Sequence, residues 1–238
     1  MIISKTRKFV FVHIHKTAGE SITSALAGQL GPGDLVIGST PMGKLRNIQY
    51  KRRYGLEKHS HATKIREFLG PETWESYFSF AFVRHPFERT ESLYRYFAMV
   101  SEKRDAGGLR NLRFKLPYFS GSDPLIWPGM TAYRETETFS EFIRHPSFFR
   151  DPASRCQCDA VQDETGATIV DFIGYFGQHE SDFARVAERL ELPDLRLPRK
   201  NISTGATARE SLIGPADREH LREVFARDFA AFTFPERG

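Results

Sequence analysis

Residues 16–21 of this sequence combine side chains that are suited to binding phosphate groups. They read Lys-Thr-Ala-Gly-Glu-Ser and directly follow the apolar run of residues 9–14. Lys16 supplies a positive charge, and Thr17 and Ser21 supply hydroxyl donors. If a helix begins here, its first N–H groups have no partners inside the helix, and the helix dipole favours an anion beside them. The segment therefore predicts a site for a nucleotide-like ligand.

The stretches on either side of this segment have the patterns of a strand and a helix. Residues 9–14 are rich in Phe, Val and Ile, which predicts a buried strand, and the apolar residues of 21–30 have helical spacing. The loop between them is not a Walker A loop, because Lys16 comes first and Gly19 follows it, whereas that motif ends in Gly-Lys. Taken alone, the pattern fits an ordinary strand–turn–helix with a solvated lysine equally well.

A second group of polar residues follows the next apolar stretch. Residues 77–83 predict a strand, and residues 87–100 predict an amphipathic helix. Arg84 stands at the end of this strand, and Ser92 lies about two helical turns further on. A guanidinium and a hydroxyl that converge on one point can clamp a phosphate, although each residue alone also fits a helix surface.

Together the two segments resemble the cofactor motifs of sulfotransferases, which use 3′-phosphoadenosine 5′-phosphosulfate (PAPS). The first is similar to the 5′-phosphosulfate loop, and the second to the 3′-phosphate motif V-R-[DHN]-P-[FW]-x-R-x-x-S-x-Y. Softer matches at residues 61–71, 170–177 and 225–229 extend the resemblance over nearly the whole chain. The chain looks like a short soluble form of the carbohydrate-type family that is related to heparan sulfate 2-O-sulfotransferases.

This resemblance implies a PAPS-dependent sulfotransferase that moves a sulfuryl group to an acceptor hydroxyl, on a carbohydrate or glycoconjugate, by in-line displacement. It implies that Lys16 stabilises the leaving phosphate, and that Arg84 and Ser92 bind the 3′-phosphate. The cofactor contacts that it implies are Lys16, Thr17, Ala18, Gly19, Glu20, Ser21, Arg84, Ser92, Lys200 and Asn201.

Glu20 departs from the family pattern, which has Thr or Ser at this position. Its backbone N–H can still donate to the ligand. Its carboxylate either faces the anion and repels it, or points away and acts as a favourable charge at the helix N-terminus.

The acceptor hydroxyl needs a base, and histidine has a suitable pKa near neutral pH. His59 and His61 lie just before a helix that is predicted to end at residue 69. Relatives of the 2-O type use a histidine between the two cofactor motifs, so the resemblance implies His61 as the base, with His59 as helper or substitute. As residues alone, this pair also fits a helix cap or a surface position.

The cysteines and the remaining histidine pair do not predict a metal site. Cys156 and Cys158 are too close in sequence for a disulfide between them to stabilise the fold by closing a long loop. One such pair also does not complete a zinc site, so we expect reduced thiols in a loop. His13 and His15 lack an acidic partner at diagnostic spacing, and His15 is expected to line the cofactor loop.

The composition fits a folded protein of 238 residues, with 40% hydrophobic and 13% aromatic residues and a net charge of +4. The charge suits an anionic cofactor, but no motif for nucleic acid is present. The N-terminal residues are too few and too polar for a signal peptide, and no apolar segment is long enough to span a membrane. We therefore expect a cytoplasmic location.

Strands that alternate with helices predict an α/β, P-loop-like three-layer fold, with a central parallel sheet flanked by helices, in one sulfotransferase domain over residues 1–238. Ligands bind at the carboxyl ends of such strands, which brings Lys16 and Arg84 side by side. The other predicted elements are a strand at 169–176, helices at 138–143, 180–190 and 215–229, a surface excursion at 38–60 and long loops at 101–135.

Two alternatives remain open at this point. In a P-loop kinase or NTPase, Asp171 would end a Walker-B-like strand and hold Mg²⁺. In a non-catalytic nucleotide- or glycan-binding module, the nucleotide site would lack a base. Neither the acceptor nor the oligomeric state, a homodimer included, is determined by these residues.

Overall fold

The computed structural model describes residues 1–105, 126–198 and 211–234. Contacts within the chain divide it into two units. The first unit comprises residues 1–85, 156–209 and 230–238, and the second comprises residues 86–155 and 210–229. The single domain over residues 1–238 stays a prediction.

The first unit is built on a mixed sheet. Its strands in the described part of the chain are β1 (Ile2–Ser4), β2 (Phe9–Val12), β3 (Leu35–Val36), β4 (Phe78–Val83) and β5 (Phe172–Tyr175). Their order is β3-β1-β2-β4-β5. Strands β2, β4 and β5 are parallel, whereas β1 is antiparallel to both of its neighbours.

The helices in the described part of the chain lie between and after these strands. They are α1 (Gly19–Ala27), α2 (Pro41–Tyr54), α3 (Ala62–Leu69), α4 (Pro71–Glu75), α5 (Pro86–Asp105), α6 (Pro128–Arg134), α7 (Phe139–Phe142), α8 (Pro146–Arg150), α9 (His179–Arg189), α10 (Pro215–Val224) and α11 (Ala226–Ala231). Among the described residues, no helix combines the length and the apolar character that crossing a membrane requires.

The alternating side chains of β2 divide the core of the first unit into two layers. Phe9 and Phe11 pack in a cluster with residues of α1 and α9. Val10 and Val12 pack in the other cluster, with residues of α3 and α4. All four side chains are buried, as expected for a strand covered on both faces. The helix–sheet–helix arrangement confirms the predicted α/β class and its three layers.

The predicted surface excursion, residues 38–60, contains a helix, α2, that the sequence analysis did not predict. The hydroxyl of Thr40 accepts a hydrogen bond from Gly43 N at 2.9 Å, and Pro41 stands in the first turn. Gly55 ends the helix with a φ of 68°. These cap residues fix the ends of a helix whose apolar periodicity is weak.

The loops predicted over residues 101–135 are also partly wrong. Helix α5 continues to residue 105, and α6 lies within the same range, while residues 106–125 lie outside the described part. The helix predicted at 138–143 is confirmed as α7, with Thr138 and Glu141 forming a capping box.

Aromatic side chains form the interior of the second unit. The ring of Tyr94 on α5 lies 5.2 Å from that of Phe142, which lies 5.2 Å from that of Phe148. The guanidinium of Arg89 is buried here and donates to the carbonyls of Ala153 and Arg155 at 2.8 and 2.7 Å. Arg89 thus stabilises the fold of this unit.

Candidate phosphate-binding site

Three neighbouring parallel strands end at one edge of the sheet. Strand β2 is followed by His13, β4 by Arg84 and β5 by Phe176. This edge is the carboxyl edge, where ligands bind in open α/β sheets. The structure therefore places the loop of residues 13–18 beside Arg84, as the sequence predicts.

The loop after β2 is held in a tight backbone conformation. Lys16 and Ala18 both adopt positive φ angles, 65° and 63°. The buried hydroxyl of Thr17 donates to the carbonyl of Ile14 at 3.1 Å, which fastens the loop to the end of the strand. Helix α1 then begins at Gly19, and its first N–H groups lack acceptors within the helix. The hydroxyl hydrogen of Thr17 is thus used inside the protein, to hold the loop.

Gly19 is required because a histidine ring lies directly beneath it. A Cβ at this position would come within 2.1 Å of His13 Nε2. The His13 side chain is only 4% exposed, and its ring stacks on Phe11 at 5.5 Å between centroids. The first turn of α1 can therefore approach the sheet edge only with glycine at position 19.

Lys16 shares this edge with other positive charges. Its pKa is lowered to about 8, first by burial and then by the charges of Arg84 and Lys58, while Glu20 acts in the opposite direction. Because Arg84 is near enough to disfavour the ammonium form, the two cations face a common region. A bound anion would relieve their repulsion, so the arrangement favours a phosphate or sulfate group.

A group of histidines lies next to the loop. His59 Nδ1 is 2.7 Å from the carbonyl oxygen of His13, and its ring stacks on that of His15 at 3.5 Å between centroids. Because a carbonyl can only accept, His59 Nδ1 must donate, so the lone pair of a neutral His59 lies on Nε2. Burial, followed by the charges of His15 and Lys58, lowers the pKa of His59 well below its usual value. His59 is therefore neutral at pH 7 and can accept a proton.

A family model described as the sulfotransferase family matches residues 1–235. The chain belongs to the sulfotransferase family. Its activity is thus the transfer of a sulfuryl group, and the protein is a transferase. No curated protein and no solved structure matches it.

The departure of this sulfotransferase at Glu20 is accounted for by an ion pair. The Glu20 carboxylate contacts the ammonium of Lys58, and their side chains are 52% and 26% exposed. Burial acts to raise the pKa of Glu20, but the charge and hydrogen bond of Lys58, together with a hydrogen bond from Ser39 and the charge of the N-terminus, lower it overall. The carboxylate is neutralised by Lys58, a residue that the sequence did not single out.

The remaining predicted site residues of this sulfotransferase lie in different places. His61 is the half-buried N-cap residue of α3. Ser92 is half-buried on α5 in the second unit, whereas Arg84 belongs to the first, and their joint clamp stays a prediction. Lys200 and Asn201 lie outside the described residues.

Asp171, the Mg²⁺ ligand of the kinase alternative, has a structural role in this sulfotransferase. Its Oδ2 accepts from the backbone N and the hydroxyl of Ser79, at 2.7 and 2.8 Å. The contact joins the beginnings of β4 and β5, at the opposite edge of the sheet from Lys16. Asp171 is therefore not placed to hold a metal ion beside the loop.

Proposed function

We propose that this sulfotransferase takes PAPS as donor and transfers its sulfuryl group to a hydroxyl of a carbohydrate or glycoconjugate. The observation that carries the proposal is the nearness of Lys16 and Arg84 at the carboxyl edge of the sheet, where the charge of Arg84 helps to lower the pKa of Lys16. PAPS carries anionic groups at its 5′ and 3′ positions, so it suits a site with two separate cations.

Sulfuryl transfer of this kind is a loose in-line displacement, in which positioning and charge stabilisation do most of the work. The Lys16 ammonium would stabilise the 5′-phosphate oxygen as its bond to sulfur breaks. N–H groups at the start of α1 would hold the phosphosulfate, with Thr17 keeping the loop closed. Arg84 would bind the 3′-phosphate.

We propose that the base comes from the pair of His59 and His61, and the contacts favour His59. The hydrogen bond from His59 Nδ1 to the His13 carbonyl leaves Nε2 to accept the proton of the acceptor hydroxyl. The acceptor oxygen then attacks sulfur, the S–O bond to the 5′-phosphate breaks, and 3′-phosphoadenosine 5′-phosphate (PAP) leaves. The resemblance to carbohydrate-type relatives supports a sugar as acceptor.

The proposal is tested by a transfer assay with sulfur-labelled PAPS against a panel of glycans, lipids and small alcohols. We expect label on a glycan, and its loss in His59→Gln. His220→Gln is the control, because this histidine lies in the second unit and contacts the carbonyl of Ile143.

The outcomes separate the alternatives. Tight PAP binding without transfer to any acceptor would favour a binding module. Loss of transfer in His61→Gln, with His59→Gln fully active, would assign the base to His61. Label on lipids or small alcohols alone would exclude the carbohydrate acceptor and leave PAPS as the donor.

A further inference from the structure

Gln157 makes two hydrogen bonds to the backbone of Arg84. Arg84 N donates to Gln157 Oε1, and Gln157 Nε2 donates to the Arg84 carbonyl, each at 2.9 Å. The amide thus continues the pairing of β4 by one residue beyond its end, in the manner of a neighbouring strand. The residue whose backbone is fixed in this way is the arginine that we assign to the 3′-phosphate.

The environment of Gln157 makes this contact rigid. Its side chain is 1% exposed, so an amide that lost its partners would leave buried polar atoms unsatisfied. Cys158 is fully buried in the core cluster, and Cys156 packs against the same cluster. The two thiols on either side anchor the segment by packing, which gives the Cys-Gln-Cys motif a structural meaning that does not require a metal.

The guanidinium of Arg84 is supported separately from its backbone. Its Cζ lies 4.0 Å from the ring centroid of Phe176, the residue that follows β5. Stacking of this kind engages the face of the guanidinium, whereas its hydrogen bonds lie in the plane of the group. The Phe176 ring therefore fixes the plane of the Arg84 guanidinium and so the directions in which it can donate hydrogen bonds. Gln157 fixes the backbone position from which the Arg84 side chain extends.

We infer that Gln157 is a positioning residue for Arg84 and thereby sets the selectivity for nucleotides with a 3′-phosphate. The inference rests on the proposed use of PAPS. A loosened Arg84 would lose bidentate contact with the 3′-phosphate, but contacts of the phosphosulfate loop would remain. Affinity for PAP should therefore fall, whereas affinity for AMP, which lacks the 3′-phosphate, should not.

The test is calorimetric titration of PAP and AMP into the wild type, Gln157→Met and Gln157→Glu. The first variant keeps the side-chain size without hydrogen bonds. The second keeps an acceptor for Arg84 N but loses the donor to its carbonyl. Gln162→Met is the matched control, because Gln162 is half-buried nearby in the chain and pairs with Thr168 through the backbone.

We expect each Gln157 variant to bind PAP about tenfold more weakly, with AMP affinity changed by less than about twofold. In the transfer assay, KM for PAPS should rise while kcat changes little. The control should behave as the wild type. A general loss of stability would not produce this split between the two nucleotides.

Three results would overturn the inference. PAP and AMP affinities that fall together would show a general effect, and unchanged PAP affinity would show that Arg84 needs no such support. Failure of both variants to fold, judged by circular dichroism, would make Gln157 a residue of the fold alone. If the wild type itself binds AMP as tightly as PAP, the proposed donor is wrong, which is distinguishable from all three.

Discussion

Glu20 and Lys58 form an ion pair that ties the first turn of α1 to the segment carrying His59. The pair neutralises a carboxylate beside the loop of residues 13–18, where it would otherwise repel an anionic ligand. It also brings Lys58, the residue before His59, to the N-terminal end of α1, which follows the loop. The negative charge that Glu20 introduces at this position is thus neutralised by Lys58, which comes from a distant segment of the chain.

Lys58→Met should weaken PAP binding about five- to tenfold, because it removes a cation and leaves Glu20 uncompensated. Glu20→Gln should change the affinity by less than about threefold, since Lys58 already neutralises this carboxylate. Calorimetry on both variants and on the double variant checks this. The double variant should bind PAP more tightly than Lys58→Met, and purely additive effects would show that the two residues are not coupled.

PAP binding should weaken as the pH rises through about 8. The pKa of Lys16 is lowered to about 8, so its ammonium is present below this pH and lost above it. Titrations from pH 6.5 to 9 should show the decrease in the wild type, and Lys16→Ala should bind weakly with a flat profile. A wild-type affinity constant up to pH 9 would contradict the assignment.

The rate of transfer should not fall until the pH drops well below the usual pKa of histidine. The lowered pKa of His59 keeps the imidazole neutral, and thus able to accept a proton, at pH values where an exposed histidine is charged. The pH profile of kcat/KM measures this, and we expect its acid limb to lie well below the usual pKa of histidine. A limb near pH 6.5 that persists in His59→Gln would assign the base to another group.

Gly19→Ala should destabilise the protein by about 1–3 kcal/mol, because its Cβ would clash with the His13 ring. Gly28→Ala is the control from the C-terminal end of the same helix. Gly28 has a φ of −74° and open space around it, so the change should be neutral or stabilising by up to about 1 kcal/mol. Urea unfolding compares the two, and equal stabilities would show that Gly19 is not under this constraint.

The sequence predicts the strands that form the centre of the first unit, because β2 and β4 consist almost entirely of apolar residues. It does not predict β1 and β3, which span only Ile2–Ser4 and Leu35–Val36 and carry too few residues for a pattern. Helix α2 could have been found from Thr40, Pro41 and Gly55, although its periodicity is weak.

The candidate site is predicted where it depends on local motifs and missed where it depends on distant contacts. Lys16 and Gly19 belong to one short motif, residues 16–21, so the sequence alone identifies both. Lys58 and Gln157 reach their partners from 38 and 73 residues away, and no local spacing signals such contacts. The hydrogen bond that sets the tautomer of His59 likewise depends on how the chain folds.

The most direct test of the central claim is calorimetric titration of PAP and of ATP·Mg into the wild type, Arg84→Ala and Arg52→Ala. Arg52 is exposed on α2, so its variant controls for the loss of one positive charge. We predict that PAP binds the wild type and Arg52→Ala tightly, that ATP·Mg binds weakly, and that PAP affinity collapses in Arg84→Ala. Preferred binding of ATP·Mg, or PAP affinity unchanged in Arg84→Ala, would contradict the account.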